Sequence, residues 1–463
     1  MIKAEFPEDT IAAISTPLGE GAIGIIRLSG VQSVTIADRI FKTKKGDLLP
    51  SSFDSHRLYL GHIVQDDQVL DEALGCVTKA PRSYTQEDTF ELYCHGNPFI
   101  LKKILSLILE KGARLAEPGE FTKRAFLNGR MDLSQAEAVV DLIQAKSELQ
   151  RKYALRQLRG EFSKELTKVR DSIFDVMVES EANIDFPEYV PETVSPEVFY
   201  EILQKAKIWV QELLKSARGQ KILKEGFKIV LMGEPNVGKS SLLNTLSGKD
   251  LAIVTEVPGT TRDAIEYEID VKGIPVHLID TAGLRDPENI VEQKGIEVSY
   301  KKFEEADLVL WIFDTSKPLS NLAIVQPFLG NGKASMMIFN KVDLPIVLNR
   351  TEISKNFPSH PFFETSTLQS TGITELKKAI EDWILNHSDF LESQYMINAR
   401  HQEILQKVEE YLSSAQKALD ENLGDDLISS DLRNAIQKLD EILGRSVSEE
   451  MVQTIFSRFC IGK

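Results

Sequence analysis

Residues Gly233–Ser240 read Gly-Glu-Pro-Asn-Val-Gly-Lys-Ser, with an apolar run, Phe227–Met232, directly before and a helix-like stretch, Ser241–Leu246, directly after. This order constrains the fold strongly. A glycine loop between a strand and a helix lets backbone N–H groups turn toward phosphate oxygens, and the helix N-terminus adds a favourable dipole. In that setting Lys239 reaches the β- and γ-phosphates and the Ser240 hydroxyl ligates Mg²⁺. Asn236, Val237, Gly238 and Ser241 complete the loop and the start of its helix.

Two more motifs follow in order, each after an apolar run. Asp280-Thr281-Ala282-Gly283 follows Val276–Ile279, and Asn340-Lys341-Val342-Asp343 follows Ala334–Phe339. The first orients Mg²⁺ through its Asp and offers a Gly N–H to the γ-phosphate. In the second, the Asp343 carboxylate accepts from guanine N1–H and the 2-amino group. Adenine has neither donor, so the residue selects guanine. The three motifs together resemble a Ras-like GTP-binding domain and argue against ATP. The segment Thr255-Glu256-Val257-Pro258-Gly259-Thr260-Thr261 lies where a first switch is expected, with Thr261 as a second hydroxyl ligand for Mg²⁺. The residue after Gly283 is Leu284, where many such enzymes carry a water-orienting Gln. Leu cannot do this, and Glu292 is the nearby candidate.

At 463 residues the chain exceeds one domain. Strand and helix patterns mix over residues 1–125. Helical periodicity spans 126–225, α/β alternation 226–386, and helical periodicity returns over 387–463. An α/β GTPase domain is therefore expected between two parts of a helical domain, behind an N-terminal α+β domain. Ser134-Gln-Ala-Glu137 reads as a capping box opening one long helix that runs to about Ile184. The net charge of −16 argues against broad, non-specific nucleic-acid binding. The basic stretch Arg151–Arg159, with Lys164, Lys168 and Arg170, has two readings: a local basic face, or a solvated helix face interleaved with Glu, of which the second is the simpler. The longest apolar runs are too short to span a bilayer, so no membrane association is expected. Three cysteines, Cys76, Cys94 and Cys460, show no metal or disulfide spacing, and a cytoplasmic setting is the expectation. Gly19–Gly24 formally matches a dinucleotide fingerprint, but a strand rather than a helix follows it.

With Gly259-Thr-Thr-Arg-Asp263 and the terminal Cys460-Ile-Gly-Lys463, the chain resembles over its full length the MnmE (TrmE) family of tRNA modification GTPases. The resemblance implies a potassium-activated homodimer in which Asn236, Thr255, Val257 and Thr260 hold K⁺, Glu292 orients water and Arg285 belongs to the adjoining switch. It places Ser366 in the guanine-stacking loop, which reads Ser366-Thr-Leu368 where Ser-Ala-Lys is usual. It also implies a 5-formyl-tetrahydrofolate site formed by Arg27, Glu91, Arg130 and Lys463. With a flavin-dependent MnmG (GidA) partner, such proteins add an aminomethyl or carboxymethylaminomethyl group to carbon 5 of the wobble uridine of certain tRNAs. Tetrahydrofolate supplies the one-carbon unit. Cys460 has two readings: a soft nucleophile near folate and uracil, or a small buried residue packing the tail. A regulatory or ribosome-assembly GTPase without base chemistry is the alternative.

Overall fold

The computed structural model describes residues 9–44, 46, 48–185, 196–251, 266–280, 301–318, 332–349, 353, 360–388, 394–395 and 397–463. They form two compact units, one drawn from 1–144, 154–210 and 403–463, the other from 145–153 and 211–402.

The first unit opens with a seven-stranded sheet. Its strands are β1 (Ile11–Ile14), β2 (Gly21–Ser29), β3 (Phe41–Thr43), β4 (Leu58–Gln65), β5 (Gln68–Thr78), β6 (Thr89–Gly96) and β7 (Arg114–Leu115). They lie in the order β3-β4-β5-β6-β2-β1-β7. Alternation along β2 buries Gly24, Ile26 and Leu28 and leaves Ile23, Ile25 and Arg27 on the opposite face. The buried face packs against helices α1 (Ser33–Ile40) and α2 (Pro98–Glu110), joining Ile26, Leu28, Phe90 and Leu92 to Ile36, Ile104 and Ile108. A Cβ on Gly24 would come within 2.4 Å of Leu101, so the dinucleotide-like glycine serves close approach of α2 to a strand. Asn97 caps α2 by accepting from the N–H groups of Phe99 and Ile100.

The long helix expected from Ser134 is instead three: α4 (Leu133–Gln144), α5 (Glu148–Leu158) and α6 (Glu161–Asp185), after the short α3 (Glu120–Leu127). The capping box also sits earlier. Asp132 Oδ1 accepts from Gln135 N at 2.9 Å while Gln135 Oε1 accepts from Asp132 N at 3.0 Å. Ser134 lies inside the helix, buried, and accepts from Gln157 Nε2. A second reciprocal box, Ser147 with Gln150, starts α5 and interrupts the expected run. Several cations of the basic stretch are ion-paired with acidic neighbours: Arg151 with Glu148, Arg156 with Glu161, and Lys168 with Glu165. Helix α7 (Pro196–Glu225) leads to the second unit.

There the sheet comprises β8 (Phe227–Met232), β9 (Glu266–Val271), β10 (Ile274–Asp280), β11 (Leu308–Asp314), β12 (Ser335–Asn340) and β13 (Phe362–Thr365), in the order β13-β12-β11-β8-β10-β9. All neighbours pair in parallel except β9 with β10. Both faces are buried, as parallel sheets require. Ile229, Leu231, Leu278, Leu310 and Ile338 pack with Leu242 and Leu246 of α8 (Lys239–Leu251) and Ile380 and Ile384 of α9 (Ile373–Asn386). Val230, Ile279, Val309, Trp311 and Met337 fill the other side. The sequence order reverses at β8, so the loop after β8 opens at a topological switch point, where such sheets bind ligands.

Three helices, α10 (Ala399–Asp420), α11 (Asp425–Leu443) and α12 (Glu449–Phe456), close the chain. The helical periodicity expected after residue 387 appears as a stripe along α10, with Leu405, Val408 and Leu412 fully buried. Among the described residues no helix is long and apolar enough to cross a membrane.

The reciprocal box at Asp132 supplies partners for two otherwise open N–H groups. Asp132→Ala is expected to cost about 1 kcal/mol. A lowered thermal midpoint of the first unfolding transition checks this, and an unchanged midpoint contradicts it.

Candidate functional site

The strands β8, β10, β11 and β12 all end at one edge, so Gly233, Asp280, Asp314 and Asn340 meet there from four separate parts of the chain. Lys239, at the first position of α8, is almost fully buried. Its ammonium donates to the carbonyls of Gly233 and Glu234, both at 2.7 Å, and arches over the loop where phosphates would lie. The next residue, Ser240, donates its hydroxyl to Asp280 Oδ2 at 2.6 Å. Two of the three side chains given to Mg²⁺ from sequence, Ser240 and Asp280, are thus adjacent.

The base-recognition loop is fastened to the phosphate loop. Asn340, fully buried, donates from Nδ2 to Val237 O at 2.9 Å and accepts from Thr365 Oγ1. Gly238, at φ +99°, has no room for a side chain: a Cβ would stand 2.3 Å from Asn340 Nδ2. Beyond it, the Ser366 hydroxyl donates to Asp343 Oδ1 at 2.5 Å and also accepts from Gln369 N. One carboxylate oxygen is thereby oriented, and Ser366 is held by the Ser366–Thr371 bridge. Leu368, the departure from the usual base-stacking loop, is 84% exposed.

Sequence reasoning did not single out Asp314. Lys341, at φ +65°, donates to Asp314 Oδ2 at 2.6 Å and to Asn236 O at 2.8 Å. Burial opposes the charge on Asp314, but hydrogen bonds from Lys341 and Ser316 outweigh it and hold the carboxyl below its usual 3.8. The available signal was an acidic residue ending a wholly buried strand at the same edge as Asp280. Asn236, exposed at the loop rim with φ +62°, is braced through its backbone by this clamp. The positions Thr255, Glu256, Val257, Pro258, Gly259, Thr260, Thr261, Thr281, Ala282, Gly283, Arg285 and Glu292 lie outside the described residues.

The N-terminal residues singled out above gather around Tyr84. Arg27 lies over the Tyr84 ring at 5.3 Å and donates to Glu91 at 2.7 Å. Arg130 stacks on the same ring at 4.6 Å and donates to Tyr84 O at 2.6 Å. The other Glu91 oxygen accepts from Tyr93 OH, and burial together with this carboxylate pushes the phenol up to about 12. Glu91, Tyr84 and Arg130 line a cavity of about 420 Å³, within the range of small-ligand sites. Arg27 pairs with Glu91 but, like Lys463, is not among the residues lining the cavity. The tail nevertheless reaches β1: Gly462 packs on the backbone of Ile14 and Ser15, on the strand whose Ala13 pairs with Arg27. Cys460 is exposed, so the reading that it packs the tail does not hold; Phe456 and Phe459 do the packing against Leu133 and Ala136. Burial raises the thiols of Cys76 and Cys94, the latter to about 12, which makes both poor nucleophiles.

The sheet order, the phosphate loop at the switch point and the Asn340–Asp343 loop define a Ras-like guanine-nucleotide-binding domain. Residues 133–460 match the family described as "MnmE helical domain", and residues 10–130 match "GTP-binding protein TrmE N-terminus". Similar proteins include the "tRNA modification GTPase MnmE" of Geobacillus kaustophilus (43% identical, covering 98% of this chain and 99% of that protein). Those of Ligilactobacillus salivarius (44%, 100% and 99%) and Bacillus subtilis (43%, 98% and 100%) bear the same name. The chain belongs to the MnmE family.

The clamp has a pH signature. With its folded pKa below 3.8, Asp314 contributes stability that is fully present above that value and lost as pH falls through the lower folded one. The stability difference between the wild type and Asp314→Asn is expected to stay constant from about pH 8 to pH 5 and to shrink below about pH 4. Denaturant titrations at these pH values check it, and a difference that vanishes already at about pH 6 contradicts it.

Proposed function

We propose that this chain is a potassium-activated GTPase that serves, with a flavin-dependent partner of the MnmG (GidA) kind, in modifying carbon 5 of the wobble uridine of certain tRNAs. The product carries an aminomethyl or carboxymethylaminomethyl group. The observation that carries the reading is the meeting at one sheet edge of Lys239, the Ser240–Asp280 pair and the Ser366–Asp343 pair. It does so in a chain whose near-full-length relatives are named tRNA modification GTPases.

The residues divide the work. Asp343, oriented by Ser366, takes the two guanine N–H donors, and Asn340 holds that loop at a fixed distance from the phosphates through Val237. Lys239 and the loop N–H groups bind the β- and γ-phosphates. Ser240, Asp280 and Thr261 serve Mg²⁺. Asn236 fits a cation role: it is exposed at the loop rim while Lys341 fixes its backbone. With oxygens of Thr255, Val257 and Thr260 it would hold K⁺, which supplies positive charge where an arginine finger otherwise does. Leu284 cannot orient water, so that task falls to Glu292, with Arg285 in the adjoining switch. Hydrolysis drives a conformational cycle and not the bond formation on uridine.

The donor set around Tyr84 fits a folate. Glu91 is an acceptor for ring N–H groups and Arg130 a cation for carboxylates, in a cavity of suitable volume. Bound there, 5-formyl-tetrahydrofolate or a relative supplies the one-carbon unit. Arg27 holds Glu91 in place at 2.7 Å, and Gly462, the neighbour of Lys463, packs on the backbone of Ile14 and Ser15. Cys460, exposed beside that tail, is available as a nucleophile. Pairing with a second copy is supported by the open sheet face, where Ile23, Leu58 and Leu60 are 63%, 52% and 43% exposed.

The test is steady-state GTP turnover with K⁺ replaced by Na⁺ at equal ionic strength. A fall of at least about tenfold is expected, on the scale of one lost charge-stabilising contact; equal rates contradict the cation role.

A further inference from the structure

The cavity beside Tyr84 has two chemically different ends. Along the β5–β6 ladder, Glu91 pairs with Cys76 and Thr89 with Thr78, so Glu91 and Thr89 share a sheet face about 7 Å apart. The Glu91 end is an acceptor end, its carboxylate aligned by Arg27 and Tyr93. Past the Thr78–Thr89 pair the chain leaves the sheet and turns through Lys79–Tyr84. His56 joins this second end, its N–H donating to Val77 O at 2.9 Å. Arg82 lies in the turn, lines the cavity and is exposed. Its guanidinium makes no hydrogen bond or ion pair among the described residues. Arg27, in contrast, is committed to Glu91 at 2.7 Å and is not among the residues that line the cavity.

We propose that Arg82, with Arg130 beside it, is the anion-holding end of this cavity and takes the carboxylate tail of a ligand whose donor-rich ring sits at Glu91. The inference rests on the folate reading and deepens it. A folate carries N–H donors on its ring and two carboxylates on its glutamate tail, the same polarity as the cavity. The planar guanidinium of Arg82 matches a carboxylate in two hydrogen bonds, which an ammonium does not. Arg82 therefore sets specificity for the tail and leaves recognition of the ring to Glu91.

The experiment is calorimetric titration of the full chain with two ligands, 5-formyl-tetrahydrofolate and the amide of 5-formyl-tetrahydropteroate, which lacks the glutamate. The wild type is expected to bind the complete folate about tenfold more tightly than the amide, the scale of an exposed charge-assisted pair. Arg82→Gln should remove most of that preference, leaving the share held by Arg130, and leave affinity for the amide unchanged, and Arg82→Lys should restore part of it. The wild-type preference should also shrink as salt rises. Because Arg82 is exposed and unpaired, an unchanged circular dichroism spectrum is expected for both variants. Equal loss of affinity for both ligands, or no loss for either, overturns the role of Arg82. If neither ligand binds the wild type, the folate reading itself is wrong and the tail assignment falls with it.

Discussion

The nucleotide site depends on one buried hydrogen bond. Asn340 Nδ2 to Val237 O joins the loop that reads the base to the loop that cradles phosphates. Asn340 has no solvent exposure, so losing its acceptor would strand a buried donor at about 1–3 kcal/mol. The bond also explains a sequence letter. Gly238 must lack a side chain because Asn340 occupies that space. Lys341 adds a second tie, from Asp314 to Asn236 O, so base and phosphate recognition share one rigid frame. A guanine nucleotide must span both loops, and the frame fixes that span in advance.

Much of this site was legible in the sequence because its signals are local. A glycine loop after an apolar run, and two short motifs after two more, each specify their own strand end, and parallel pairing brings the ends to one edge. The strands β8, β10 and β12 fall where their apolar runs stand. Asp314 escaped notice because its meaning is non-local: its partner is 27 positions on, and only the parallel pairing of β11 with β12 brings Lys341 to it. Tyr84 escaped for the same reason. It gathers Arg27 and Arg130 from opposite ends of the N-terminal region, and no periodicity carries that information.

The helical segments show the opposite failure, in which a correct local rule was applied at the wrong register. Ser134-Gln-Ala-Glu137 satisfies the capping pattern, but Asp132 with Gln135 satisfies it two positions earlier and leaves Ser134 free to receive Gln157. Apolar periodicity alone continued the helix through residues 145–147. The Ser147–Gln150 box shows that a new start can be written inside such a run. Capping competes with continuation, and packing decides between them.

As proposed above, the guanine-nucleotide frame and the polar cavity at Tyr84 serve one task on tRNA. The most direct measurement is nucleoside analysis of tRNA from cells lacking this protein. Loss of the carbon-5 substituent on the wobble uridine, restored by the wild-type chain but not by a chain carrying Lys239→Ala, is the predicted result. An unaltered wobble uridine in the deletion strain would contradict it.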